Sequence, residues 1–292
     1  MNILIISISL NWVYRLYEEY ILSIKKFINK YYDNINIYPI YFDIKTFHVN
    51  DFNKLNFFNY DKIFYTGEID ILNIILHKIN NNYKKIYYIN IEQLSHPSYY
   101  KMLRNLSTEL NIIDYSEENI PYLKDIFKNV FLFPPFFNTD CKAKTKNIDI
   151  LSLTNNFYRK TILNKNVFDK LKFNILFIDD CYGQLRDEYF STSKVYINIH
   201  GSDDHNTMEM IRLVNLIFKK VIIISQKSVN TDLLFLKDYI IICNDLDNLV
   251  EYTYEILYNY EFYYNKIYGN FDEDGYYLYI KSNIDKIIYH DS

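Results

Sequence analysis

The chain has 292 residues, 32 of them basic and 36 acidic, giving a net charge of −4 and no general electrostatic reason to bind nucleic acid. Apolar residues make up 49% of the sequence, enough for a sizeable core, which excludes an intrinsically disordered chain. Three cysteines, Cys141, Cys181 and Cys243, are too few and too scattered for a disulfide framework or a zinc cluster, and they suit a reducing compartment.

The start, Met1 to Leu10, is apolar but lacks a basic region and a small-residue cleavage site, so it reads as a buried first strand rather than a signal peptide. No apolar run approaches the ~18 residues that span a bilayer. The sequence therefore suggests a soluble, cytoplasmic protein without a transmembrane segment, with peripheral contact to a membrane left open. The 32 tyrosines, with abundant Asn, Ile and Lys, have the look of an AT-rich genome, so aromatic and Asn-rich patterns carry little functional weight.

Apolar runs alternate with helical patterns along the chain, the signature of βαβ units and a parallel sheet. Ile3–Ser9 reads as a buried strand and Tyr14–Lys30 as an amphipathic helix with Leu16, Tyr20, Ile24 and Phe27 on one face. Strands are expected at Ile35–Phe42, Lys62–Tyr65, Lys85–Ile91, Leu110–Asp114 and Val130–Phe133. Pro134-Pro135 then stops regular structure, and the polar run Asn138–Asn147 reads as a linker. A second set restarts at Ile148–Leu153, followed by helix Phe157–Leu171 and strand Phe173–Ile178. Strand Lys194–Ile199, helix Thr207–Phe218, strand Val221–Ser225, a short element at Leu233–Leu236 and strand Tyr239–Cys243 come next. A long helix, Leu246–Tyr264, and a helical or mixed segment, Gly269–Ser292, close the chain. The organisation expected is two Rossmann-like halves, residues 1–137 and 147–265, with residues 266–292 packing back on the first.

The most informative stretch is Val195–Asn206, VYINIHGSDDHN. An apolar strand ends in His200-Gly201 and a polar loop, and a helix carrying Glu209 and Arg212 follows. Open α/β sheets bind ligands at the carboxyl ends of their strands, where such loops and helix starts converge.

Several segments together resemble a family of GT-B glycosyltransferases found in polysaccharide-building gene sets and large viruses. They are YINIEQL at Tyr88–Leu94, IDYSEENIPYL at Ile113–Leu123, IDILSLTNNFYR at Ile148–Arg159, YGQLRD at Tyr182–Asp187, and SKVYINIH at Ser193–His200 leading to Glu209-x-x-Arg212. The order and spacing, across roughly residues 85 to 225, carry more than any single piece. The chain departs from the pattern at Asn215-Leu216, where the family usually has Glu-Ala, and at Gln226, where an acidic residue is usual. Arg159-Lys160 stands where paired arginines are common. The resemblance implies an α/β fold of two Rossmann-like domains facing a cleft, with the acceptor on the first and a nucleotide-sugar donor on the second.

Glycosyl transfer from a nucleotide sugar needs positive charge on the leaving diphosphate and acceptors for the sugar hydroxyls. Arg159 and Lys160 follow the opening strand of the second half, and Asn156 lies in the loop before them. Basic residues at a helix start oppose the macrodipole, a conflict that favours function over a solvated surface. Glu209 and Arg212, at i and i+3, can simply pair; the resemblance instead gives Glu209 the sugar or ribose hydroxyls. His200, beside Gly201, serves either as a structural histidine or as part of the donor site. Glu92 and His96 flank the loop after a first-half strand, and either can be a general base if the reaction inverts. His96-Pro97 reads equally as a turn before a helix, and Ser116 as a helix N-cap. The resemblance places Asn11 and Trp12 at the acceptor, although a core tryptophan is the commoner fate. Asp179-Asp180 and Asp203-Asp204 read as solvated turns. GT-B enzymes typically need no bound metal, so neither a metal nor another cofactor is expected.

The reading is a glycosyltransferase moving a sugar to a glycan, lipid-linked or protein acceptor. A nucleotide-sugar epimerase on the same fold and a non-catalytic nucleotide-sugar-binding protein are the alternatives.

Overall fold

The structure is a computed structural model that describes residues 1–9, 11–43, 45–137, 144–154, 157–163, 173–179 and 181–290; the side chains of residues 9, 11–17 and 49 are outside the described set. The chain divides into two units. Met1–Glu92, Ser98–Phe136 and Leu278–Ser292 form the first, and Gln93–Pro97 with Phe137–Tyr277 the second.

The first unit holds strands β1 (Asn2–Ser9), β2 (Asn36–Asp43), β3 (Lys62–Thr66), β4 (Ile86–Asn90), β5 (Asn111–Asp114) and β6 (Asn129–Leu132). They form one parallel sheet in the order β2-β1-β3-β4-β5-β6. Ile3, Leu4, Ile5 and Ile6 are fully buried, as expected when both faces of a parallel sheet are covered and its strands become continuous apolar runs. Helix α1 (Asn11–Tyr31) buries Tyr20, Ile24, Phe27 and Ile28, and the Tyr20 hydroxyl donates to Phe133 O at 2.6 Å. Helices α2 (Ile69–Lys78), α3 (Pro97–Leu103) and α4 (Ile120–Lys124) follow β3, β4 and β5. The strand order reverses between β1 and β3. There Gly67 adopts φ 142°, and a Cβ in its place would stand 2.5 Å from Ile8 O, so a residue with a side chain fits neither the conformation nor the space.

The second unit holds β7 (Ile148–Leu153), α5 (Phe157–Leu163), β8 (Ile175–Ile178), α6 (Gly183–Thr192), β9 (Ser193–Asn198), α7 (Met210–Phe218), β10 (Ile222–Gln226) and β11 (Ile240–Cys243). Its parallel sheet runs β11-β10-β9-β7-β8, so the order reverses between β7 and β9. Helices α8 (Leu246–Tyr258), α9 (Tyr260–Tyr268) and α10 (Glu273–Ile288) complete the chain. In its C-terminal part, α10 contributes Asp285 to a hydrogen bond from Tyr32 and Tyr279 to one with Glu117, all within the first unit.

Four sequence expectations change. The long helix Leu246–Tyr264 is two helices, broken at Asn259, whose φ −122° and ψ 38° are not helical. The Asn259 side-chain amide donates to Glu255 O at 3.1 Å, the competition with backbone that makes Asn a poor interior helix residue. Helix α6 is new; its buried face includes Arg186 and Ser191 beside Phe190, so apolar periodicity does not reveal it. Helix α7 starts at Met210 rather than Thr207, because Thr207 Oγ1 and the Asn206 N–H bond to Ser95 Oγ instead of entering a helical turn. Ser116 makes no side-chain cap; Asp114 Oδ1 takes the Ser116 N–H at 2.8 Å. Residues 138–143 of the expected linker, 164–171 of the expected helix, and Asn156 and Asp180 lie outside the described residues.

Candidate functional site

In the second unit, chemistry gathers where the strand order reverses, at the carboxyl ends of β7 and β9. Arg159 stands in the first turn of α5, after β7, and is 5% exposed. Its Nε donates to Ile199 O at 2.7 Å, and its Nη2 lies 2.5 Å from Glu209 Oε1. Glu209 is the N-cap of α7, and Nη1 of Arg212 approaches its other oxygen, Oε2, to 2.6 Å. The same Arg212 nitrogen donates to Tyr196 OH at 3.2 Å. Two guanidinium groups from different elements thus clamp one carboxylate. Burial alone would raise the Glu209 carboxyl, but Arg159 and Arg212 outweigh it and hold it down at about 2.

The β9–α7 loop carries an unusual accumulation of unsatisfied polarity. His200 Nδ1, Asn206 Oδ1 and Glu209 Oε2 are buried and have no hydrogen-bond partner among the described residues. The Arg212 contact to Oε2 is close but falls outside hydrogen-bond geometry, so it is an ionic contact only. Buried polar groups are nearly always paired, and an exception calls for a specific explanation, a bound ligand or catalytic role being among them. His200 is otherwise held firmly: its N–H donates to Gln226 Oε1 at 2.9 Å, and its Nε2 lies 3.1 Å from Lys227 O. Burial pushes the His200 imidazole below its ordinary value, despite Glu209 nearby.

Lys160 points elsewhere and forms an ion pair with Asp179, both side chains being nearly half exposed. The Asp179 carboxyl is lowered mainly by that lysine, and Thr154 Oγ1 donates to it at 2.9 Å. Asp203 accepts from the Tyr158 hydroxyl at 2.7 Å, and Asp203 and Asp204 are both exposed. Among the described residues no three His, Cys, Asp or Glu side chains gather in a way that could hold a metal ion.

The structure brings Arg159, His200, Glu209 and Arg212 together, with Gly201 next to His200, and leaves Lys160 at their edge. Asn156 lies outside the described residues. His96 belongs with the second unit, where its ring lies against His205 at 4.4 Å between centroids. Burial, then His96, lowers the His205 imidazole, and Ser202 Oγ lies 2.7 Å from its Nδ1. Glu92 belongs with the first unit, so the two candidate bases are carried by different units. Asn11 and Trp12 open α1 after β1; their side chains are outside the described set.

Sequence reasoning missed His205 and Tyr196, and it gave Asp114 no role. The signal for His205 was present in the Asp-Asp-His-Asn loop. The family departures are also structural participants: Gln226 holds the His200 amide, and buried Asn215 donates to Asp187 Oδ1 at 2.8 Å.

Two curated proteins of Acanthamoeba polyphaga mimivirus are similar in sequence. "Uncharacterized protein R358" is 32% identical over 198 residues, which cover 65% of this chain and 68% of that protein. The chain belongs to its family. "Uncharacterized protein L140" is 30% identical over 190 residues, covering 59% of each chain. No protein-family profile matches.

Several solved structures, at low sequence identity, are similar to this chain in fold. An α-glucosyltransferase bound to UDP and a 13-mer DNA gives a TM-score of 0.59 at 14% identity, over 98% of this chain and 99% of that one. The DNA-modifying enzyme β-glucosyltransferase gives 0.55 at 15% identity, over 100% and 98%. WaaG, a glycosyltransferase involved in lipopolysaccharide biosynthesis, gives 0.57 at 7% identity, over 99% and 100%. Two parallel-sheet α/β units of this kind are the GT-B fold. No helix among the described residues is long and apolar enough to cross a membrane.

Proposed function

We propose that the chain is a nucleotide-sugar-dependent glycosyltransferase whose second unit binds the donor at the carboxyl ends of β7 and β9. The observation that carries the reading is the β9–α7 loop. Its buried His200 Nδ1 and Asn206 Oδ1, without a hydrogen-bond partner among the described residues, and the arginine-clamped Glu209 follow β9, one of the two strands between which the sheet order reverses. Ligands of open α/β sheets bind at such points.

In this reading Lys160 exchanges Asp179 for the donor diphosphate and, with Arg159, stabilises the charge that grows on it as the glycosidic bond breaks. Asn156 is a further proposed donor contact. Glu209, kept ionised by its two arginines, is an acceptor-only group suited to sugar or ribose hydroxyls. His200, pushed towards its neutral form, offers a further polar contact beside Gly201. Glu92 or His96 is the proposed general base for an acceptor hydroxyl, and Asn11 and Trp12 are proposed acceptor contacts. The positive charge comes from side chains, and no metal or other cofactor is required by the scheme.

The acceptor proposed is a glycan, a lipid-linked sugar or a protein. Because one structural neighbour is bound to DNA, nucleic acid belongs in the acceptor screen as well. A second reading, a nucleotide-sugar epimerase, draws support from a Listeria monocytogenes structure described as a UDP-N-acetylglucosamine 2-epimerase, with a TM-score of 0.60 at 10% identity, over 100% of this chain and 98% of that one. Product analysis separates them. Incubation with UDP- and GDP-sugars should consume donor only when an acceptor is supplied. Conversion of the donor sugar without any acceptor would replace the transferase reading with the epimerase.

A further inference from the structure

The first unit contains a buried polar network that the donor site does not use. Asp114, at the end of β5, is fully buried and has no cation among its partners in the described residues. Asn90 Nδ2, at the end of β4, donates to Asp114 Oδ2 at 2.6 Å and to the Glu92 main-chain oxygen at 3.1 Å. Asn119 Nδ2, in the turn before α4, reaches both Asp114 oxygens at 3.2 Å and the same Glu92 oxygen at 2.9 Å. Asn90 Oδ1 accepts the Glu92 N–H at 3.4 Å. One carboxylate therefore orients two buried amides, each with its two hydrogens divided between Asp114 and one carbonyl.

We infer that Asp114 is a positioning residue that, through Asn90 and Asn119, fixes the main chain of Glu92 at the carboxyl end of β4. The inference rests on the proposed role of Glu92 as an acceptor base. A carboxylate base must lie within hydrogen-bond reach of the hydroxyl it deprotonates, and loops carry such groups less accurately than strands do. The lock makes the first loop residues after β4 part of the rigid sheet edge. A purely apolar filling would satisfy the core equally well at lower cost, because burying a carboxylate is expensive.

That cost shows in the titration. Burial raises the Asp114 carboxyl from 3.8 to about 7, the hydrogen bonds from Asn90, Ser116 and Asn119 pulling against it and Glu117 adding to it. The titratable groups facing it are Glu117, on its own loop, and Tyr20 of α1, which stays protonated well above its ordinary range. A carboxyl whose folded value exceeds its unfolded value makes folding less favourable as pH rises between the two. Ionised Asp114 thus costs stability at neutral pH while accepting from both amides. Protonation adds a hydrogen that one of those donors must give way to.

The test is hydrogen exchange of the segment around Glu92 in the full chain at about pH 5.5 and about pH 8, corrected for intrinsic rates. Wild type should protect this segment more at the higher pH. Asp114→Asn should fold with unchanged or higher thermal stability, lose that protection and lose its pH dependence; Asn119→Ala should lose protection with Asp114 intact. Where donor turnover is measurable, Asp114→Asn should lower kcat about tenfold to a hundredfold with the donor KM unchanged. Equal protection in wild type and Asp114→Asn, or a loss of stability without loss of protection, overturns the inference. Absence of turnover in wild type counts against the glycosyltransferase reading, and the exchange result still decides the lock.

Discussion

Arg159 and Glu209 are 50 residues apart in sequence, yet their side chains meet at 2.5 Å, Arg159 6% exposed and Glu209 20%. The contact ties the helix start after β7 to the N-cap of the helix after β9, the two strands between which the second sheet reverses order. A pair so placed is both a structural clamp and the floor of the proposed donor site. Removing one partner leaves the other charged and poorly solvated. Arg159→Ala should therefore cost about 1.5–3 kcal/mol in stability, the range for a hydrogen bond to a charged group. Denaturant unfolding of Arg159→Ala, Glu209→Gln and the double variant measures it. Additive losses would show that the two residues do not act as a pair.

Acid should unfold the second unit through the same pair. The Glu209 carboxyl is held at about 2, below its ordinary value of 4.5. A depressed carboxyl contributes stability that is complete above its unfolded value and is lost as pH falls through its folded one. Wild-type melting temperature should thus fall between about pH 4.5 and about pH 2 more steeply than that of Glu209→Gln. Parallel curves for the two proteins would contradict the assignment.

His200 should remain neutral at physiological pH. Burial lowers its imidazole from 6.5, and a lowered histidine loses stability as pH falls below its unfolded value, because the unfolded chain takes up the proton first. Its ring resonances should titrate with a midpoint below 6.5, while a His200→Gln variant should lose part of the acid sensitivity in that window. A midpoint at or above 6.5 would mean that burial does not dominate the titration of the ring.

Lys160 separates binding from folding. Its ion pair with Asp179 is nearly half exposed on both sides, and exposed pairs contribute ~0–1 kcal/mol. Lys160→Ala should leave the melting temperature almost unchanged. It should weaken a nucleoside diphosphate more than the matching monophosphate, and added salt should narrow the difference. Equal affinity losses for both nucleotides would place Lys160 away from the second phosphate.

Much of the fold was legible because parallel strands buried on both faces leave unmistakable runs such as Ile3–Ile6 and Ile222–Ile224. Arg159 and His200 were singled out as candidates by their place after such runs, and Glu209 mostly by the family resemblance. What escaped was set by polar side chains acting across the fold. Helix α6 hides because Arg186 and Ser191 lie on its buried face, and the helix break at Asn259 depends on one side-chain amide. Asp114 read as the end of a strand, and only the structure joins it to Asn90 and Asn119. The pairing of Arg159 with Glu209 likewise needed three dimensions, since sequence spacing offered Glu209 only Arg212.

The measurement that bears most directly on the donor site is calorimetric titration of the purified chain with UDP, GDP, CMP and ADP, with and without chelator, repeated on Lys160→Ala and Glu209→Gln. Selective binding of one nucleotide that survives the chelator and weakens in both variants is the expected result. Binding of none of the four, or binding that neither substitution alters, would contradict a donor site at the ends of β7 and β9.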